Sequence, residues 1–115
     1  MNIEEKSQAR AIQSAGRWLR HVHVAENDRG TPGTGQTDWQ AMFQALWDVS
    51  YDGWCMIESF AWYKPEIAGS TYCWRDLAGS ADELGRDGIA FLRKTAAAVA
   101  ATEYQRKEIA RAYDP

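Results

Sequence analysis

Cysteine is scarce in this chain: Cys55 and Cys73 are the only two. Their separation fits neither a metal knuckle nor a redox pair, so reduced thiols in a cytoplasmic protein are the simplest reading. Positive charge is not in excess either. Thirteen Lys and Arg stand against sixteen Asp and Glu, for a net charge of −3. That balance argues against a nucleic-acid partner, whose binding surfaces are usually basic. No apolar run approaches the length of a membrane span, and Met1-Asn2-Ile3-Glu4-Glu5-Lys6 is unlike a signal peptide. No membrane association is therefore expected. Low-complexity segments and repeats of solenoid period are also missing.

What is present suits one modest soluble domain of 115 residues, 45% hydrophobic and 25% charged, with six tryptophans. Three capping boxes predict helix starts. Asn2 with Glu5 opens a helix to about Ala15, closed near Gly16; Thr37 with Gln40 opens a second; Ser80 with Glu83 opens a third toward Tyr113. In the second, Trp39, Met42, Phe43, Leu46 and Trp47 recur at helical spacing. Between the helices lie two apolar runs of strand length, Leu19–Ala25 and Trp54–Phe60, the latter entered through the turn Asp52-Gly53. The order helix, strand, helix, strand, helix implies an α/β chain with parallel pairing through right-handed crossovers. Two strands cannot form a sheet covered on both faces, and a full (β/α)8 barrel needs eight strands and roughly 250 residues. The expected fold is a partial (β/α)8 TIM barrel: the last two strands with flanking helices, residues 1–115 forming its C-terminal part.

Both histidines fall in the first strand, and Glu58 interrupts the apolar second one. In a strand, His21, His23 and Ala25 share a face. His23 is nearer the C-terminal end, where barrel enzymes place their chemistry, and is read as a metal ligand. His21 is read as filling the interior through hydrogen bonds. A buried, unpaired carboxylate is costly, so Glu58 needs a cation or a partner. An ion pair would serve, but Arg20, the only arginine in either strand, lies at the far end. A metal satisfies Glu58 better, and imidazole with carboxylate is a donor set for a divalent ion. Arg29, six residues after His23, sits in a loop over the barrel mouth. It could be a plain surface residue, but its fixed charge suits an oxygen that becomes negative during reaction. Glu26 and Asn27 either support the ligands or cap the strand end. Trp74-Arg75-Asp76 either lines the pocket mouth or is a packed Trp beside a surface ion pair.

The run His21-Val22-His23-Val24-Ala25-Glu26-Asn27-Asp28-Arg29-Gly30-Thr31-Pro32-Gly33-Thr34-Gly35-Gln36-Thr37-Asp38-Trp39 resembles the seventh strand and loop of the D-tagatose and D-psicose (allulose) 3-epimerases, sugar epimerases of the xylose isomerase-like TIM barrels. Tyr51-Asp52-Gly53-Trp54 and Met56-Ile57-Glu58-Ser59-Phe60 resemble their eighth strand, and Trp74-Arg75-Asp76-Leu77 the segment before their last helix. Met1-Asn2-Ile3-Glu4-Glu5-Lys6 resembles the sequence leaving their sixth strand. The resemblance covers nearly the whole chain. It implies His23 and Glu58 as two of four ligands of a divalent metal, Mn²⁺ with Co²⁺ or Mg²⁺ as substitutes. It implies Arg29 as a contact to the oxygen of a ketose substrate near the reacting carbon. The metal would hold two neighbouring substrate oxygens and stabilise an enediolate. Glu58 would be one of two glutamates on opposite faces of that carbon, one removing the proton and the other returning it. The other two ligands and the second glutamate belong to earlier strands that these residues do not include. The resemblance therefore implies epimerase chemistry in a chain that is inactive by itself.

The competing expectation is a non-catalytic module that binds a partner, or a second copy, through the exposed barrel edge. Among enzymes, hydroxypyruvate isomerase and inosose dehydratase are neighbouring readings, and the Glu26-Asn27-x-Arg29 loop favours the epimerase over the former. A DNA-repair endonuclease of the same barrel needs more metal ligands and a basic face.

Overall fold

The computed structural model describes residues 4–60 and 65–113. Helix α1 (Gln8–Ala15) opens at Ser7, whose Oγ accepts from the Arg10 amide at 3.3 Å. The expected box at Asn2 and Glu5 does not open it. Asn2 lies outside the described residues, and residues 4–6 are exposed with no apolar side chain to bury. The helix closes at Gly16, whose φ of +50° is open to glycine at little cost. A single 3-10 turn (Gly16–Trp18) then leads to strand β1 (Val22–Val24).

Helix α2 (Trp39–Asp48) is capped by Asp38 rather than Thr37. Asp38 Oδ1 accepts from the Ala41 amide at 3.0 Å, whereas the Thr37 amide is drawn away to Glu26 Oε2 at 3.2 Å. Strand β2 (Cys55–Ile57) follows, then α3 (Pro65–Thr71) and α4 (Ala81–Tyr113). Sequence periodicity does not announce α3, a short helix with proline at its first position, where the missing N–H is no loss. Helix α4 opens as its capping box predicts, with Ser80 Oγ accepting from the Glu83 amide at 3.0 Å.

The two strands pair in parallel, Val22 beside Cys55, His23 beside Met56 and Val24 beside Ile57. Each has three residues in the ladder, fewer than its apolar run, because among the described residues each has a partner on one side only. One further bond at either end extends the pairing. The Val22 amide donates to Trp54 O at 3.2 Å, and the Glu58 amide to Val24 O at 2.9 Å.

Alternation along β1 decides what each sheet face does. Val22 and Val24 turn toward the helices and join Ile12, Trp39, Met42, Ala45, Leu46 and Leu92 in one buried cluster. Full burial of each such large side chain contributes about 1.5–3 kcal/mol. His21, His23 and Met56 occupy the opposite, exposed face. Helix α4 approaches closely at Gly88, where a Cβ would lie 2.9 Å from Pro32 Cδ and 3.0 Å from Ile57 Cδ1. Beyond Val99 the helix outruns the core and gives the molecule its long dimension of 62 Å. Among the described residues no helix is long and apolar enough to cross a membrane. The architecture is a piece of a barrel, two parallel strands with their helices on one face.

Candidate active site at the ends of the strands

His23 projects from the bare face of β1, and Glu58 follows β2 directly. The bond from the Glu58 amide to Val24 O fixes the end of β2 against the end of β1. The side chains meet there: His23 Nδ1–H donates to Glu58 Oε2 at 2.9 Å. They are 53% and 46% exposed, so water screens their attraction and the pair adds little stability. Its interest is geometric. Two donors in adjacent positions on an octahedral ion with bonds of about 2.1 Å lie about 3 Å apart. Imidazole nitrogen with carboxylate oxygen is a donor set for a divalent transition-metal ion. The pair could supply two neighbouring donors to such an ion. Among the described residues no group of three or more His, Cys, Asp or Glu completes its shell.

A cavity of about 500 Å³ opens beside the pair, bordered by His23, Glu58, Arg29, Phe60, Glu26 and Gln8 among others. Arg29 reaches it from the β1–α2 loop, residues 25–38. Its Cζ lies 4.9 Å from the centre of the Phe60 ring, a cation–π contact that orients the guanidinium. Its backbone is in the left-handed region at φ +71°, uncommon for a residue with a side chain. Ser59 Oγ donates to Arg29 O at 3.2 Å and ties the loop to the end of β2.

The loop is built around Glu26, the one buried charged residue among those described, at 4% exposed. Oε1 accepts from the Gly33 amide at 2.8 Å and from Trp39 Nε1; Oε2 accepts from the Asn27 and Thr37 amides, each at 3.2 Å. Burial raises the pKa of this carboxyl, but the bonds from Trp39, Gly33 and Thr37 outweigh it and leave the value lowered. Asn27 Oδ1 accepts from the Gln36 amide at 2.7 Å, and Asp28 Oδ1 from the Gly30 amide at 2.9 Å. Gly33 is required where it stands. Its φ is +96°, and a Cβ there would lie 2.6 Å from the Phe91 ring. The side chains of Glu26 and Asn27 bond to the loop's own backbone and to Trp39, and both residues border the cavity. Both residues fold the loop.

One expectation is corrected, at His21, and one open alternative is narrowed, at Trp74. His21 does not fill an interior: it is exposed, its ring edge-on to His23 at 5.0 Å between centres, because among the described residues no further strand covers this face. Trp74 does not border the cavity; it is exposed and packs edge-on against Tyr72 at 5.9 Å. Sequence reasoning passed over Phe60 as a site residue, although it lies two residues beyond Glu58 in the same run. Gln8 gave no sequence signal, because α1 reaches the cavity only through its packing against α2.

Comparison with known proteins bears on this geometry. The pattern describing the xylose isomerase-like TIM barrel matches residues 1–95. The chain belongs to that family. It is 42% identical over 95 residues to a probable ketose 3-epimerase of Synechocystis sp., covering 83% of this chain and 33% of that protein. It is 40% identical over 98 residues to a D-psicose 3-epimerase of Agrobacterium fabrum, covering 81% and 34%. Among solved structures, an L-ribulose 3-epimerase superposes with a TM-score of 0.83 at 28% identity, over 100% of this chain and 38% of that one. A D-allulose 3-epimerase from Methylomonas sp., solved with D-allulose, gives 0.75 at 34% identity over 83% and 34%. The chain thus spans about a third of the length of these relatives, and its two strands are a part of their barrel.

Proposed function

We propose that this chain carries one side of the active site of a metal-dependent ketose 3-epimerase, with His23 and Glu58 as ligands of a divalent ion, most suitably Mn²⁺. The observation that carries the reading is the 2.9 Å approach of His23 Nδ1 to Glu58 Oε2 beside a cavity that Arg29 also enters. Support comes from the relatives, named as epimerases of ketoses, D-psicose and L-ribulose. The ion, when bound, would supply Lewis-acid polarisation of neighbouring substrate oxygens.

The chain's own residues have separate tasks. Glu58 holds or moves the proton at the carbon that inverts, its carboxylate being within reach of the cavity. His23 would hold the ion beside Glu58, its Nδ1 giving up the proton that it shares with Oε2 when no ion is bound. Arg29, stacked on Phe60, offers donors to a substrate oxygen as negative charge develops there. Inversion needs a second acid/base group on the opposite face. The described residues bring no second carboxylate to the His23–Glu58 pair, so the isolated chain should not turn over a ketose.

The test supplies the other six strands of the barrel as a separate polypeptide and follows epimerisation of a free ketose with Mn²⁺. Activity is expected with both pieces present. Glu58→Gln should abolish it and weaken Mn²⁺ binding. His23→Ala should lose metal and activity together, whereas Arg29→Ala should keep the metal and lower turnover by about 10²-fold or more. A metal-replete, active Glu58→Gln protein would refute the mechanism.

A further inference from the structure

We propose that Glu26 is the positioning residue of this site: its buried carboxylate holds the β1–α2 loop in the shape that carries Arg29 over the cavity bordered by His23 and Glu58. The proposal deepens the epimerase reading, in that Arg29 matters because a substrate oxygen is to meet it there.

A carboxylate at 4% exposure with no cation against it among the described residues is unusual in a small domain. Here four N–H donors take the place of a counter-ion. They come from both ends of the loop and from its middle: Asn27 next along the chain, Gly33 at the turn, and Thr37 and Trp39 at the entry to α2. One side chain therefore fixes the first, central and last parts of a segment that has no regular structure of its own.

The fit is close on every side. A Cβ on Gly35 would lie 2.6 Å from Glu26 Oε2, so the backbone folds directly onto the carboxylate. The Glu26 carbonyl accepts from the Arg29 amide at 3.0 Å, closing a turn that ends at Arg29, whose own backbone is left-handed. Side chain and main chain of the same residue thus fix the loop and the turn that presents the guanidinium to Phe60. Replacing the carboxylate by an amide turns an NH2 toward one of the N–H pairs and leaves donors facing donors.

Arg29 itself provides the readout: it is exposed but Gly30 is buried, so trypsin should reach the Arg29–Gly30 bond faster when the loop opens. In the full chain, Glu26→Gln should raise the rate of cleavage there by about tenfold, relative to cleavage after Arg93 in α4, which reports global opening. In parallel, the ring-current shift that Phe60 imposes on the Arg29 Hε resonance should disappear. A merely structural role would accelerate both cleavages equally. Equal acceleration, or an unchanged Arg29 signal in a folded Glu26→Gln protein, overturns the proposal. Should Glu26→Gln fail to fold, Trp39→Phe decides, because it keeps the ring against Phe91 and removes one donor. Selectively faster cleavage at Arg29 in that variant upholds the proposal, and an unchanged ratio overturns it. None of these readouts needs metal or turnover, so failure of the epimerase reading would leave this result standing, and the reverse.

Discussion

At the scale of single residues, the site pairs an exposed contact with a buried one. His23 and Glu58 touch in water and gain little stability from it. Their closeness is imposed by the ladder bonds beneath them. Glu26 is the opposite case, a charge out of water that N–H donors make tolerable. Its lowered pKa is a statement about stability. A carboxyl whose folded value lies below its unfolded one stabilises the fold fully above the ordinary value of 4.5, and that contribution is lost as pH falls through the lowered folded value. The amide resonances of Gly33 and Thr37, followed by NMR, should therefore titrate with a midpoint below pH 4.5. Movement centred at or above that value would contradict the bonding described for Oε1 and Oε2.

At the scale of elements, two glycines one turn apart in α4 separate helix propensity from packing. A Cβ at Gly85 meets nothing within 4 Å, while at Gly88 it would press on Pro32 Cδ at 2.9 Å and Ile57 Cδ1 at 3.0 Å. Alanine gains about 1 kcal/mol over glycine inside a helix. Gly85→Ala should therefore raise stability by about 0.5–1 kcal/mol in urea denaturation. At Gly88 the same gain opposes an overpacking cost of about 1–3 kcal/mol, since the proline ring has little freedom to retreat. Gly88→Ala should be destabilising. Its loop neighbour Pro32 makes the substitution felt beside the candidate site as well, so the Arg29 resonances should shift with it.

For the whole molecule, the decisive feature is apolar surface left uncovered. Phe43, Trp54, Met56, Ile57, Leu84 and Ile89 border an open groove of about 630 Å³ along β2 and α4. Among the described residues each strand has an unpaired edge, and a two-stranded sheet is marginal in water. The expected outcome is concentration-dependent association in sedimentation velocity, with a low, broad thermal transition. A monodisperse monomer melting cooperatively at high temperature would contradict this. Addition of the remaining barrel strands should suppress the association, because they would cover the same surface.

Local signals sufficed wherever one residue and its near neighbours decide the outcome. Ser80 with Glu83 marked the start of α4, and the apolar spacing from Trp39 to Trp47 marked α2. Alternation in Leu19–Ala25 put both histidines on one face and both valines on the other, and the helix–strand order gave parallel pairing. Tertiary contacts decided the rest. The α2 cap moved from Thr37 to Asp38 because a carboxylate eleven residues upstream claims the Thr37 amide. His21 became a surface residue because, among the described residues, the face it shares with His23 has no strand over it. Glu26 was ambiguous in sequence because its partners, from Asn27 to Trp39, converge only once the loop folds back on itself. Side-chain type and period are written along the chain, whereas burial and the choice among competing hydrogen-bond acceptors depend on what folding brings close.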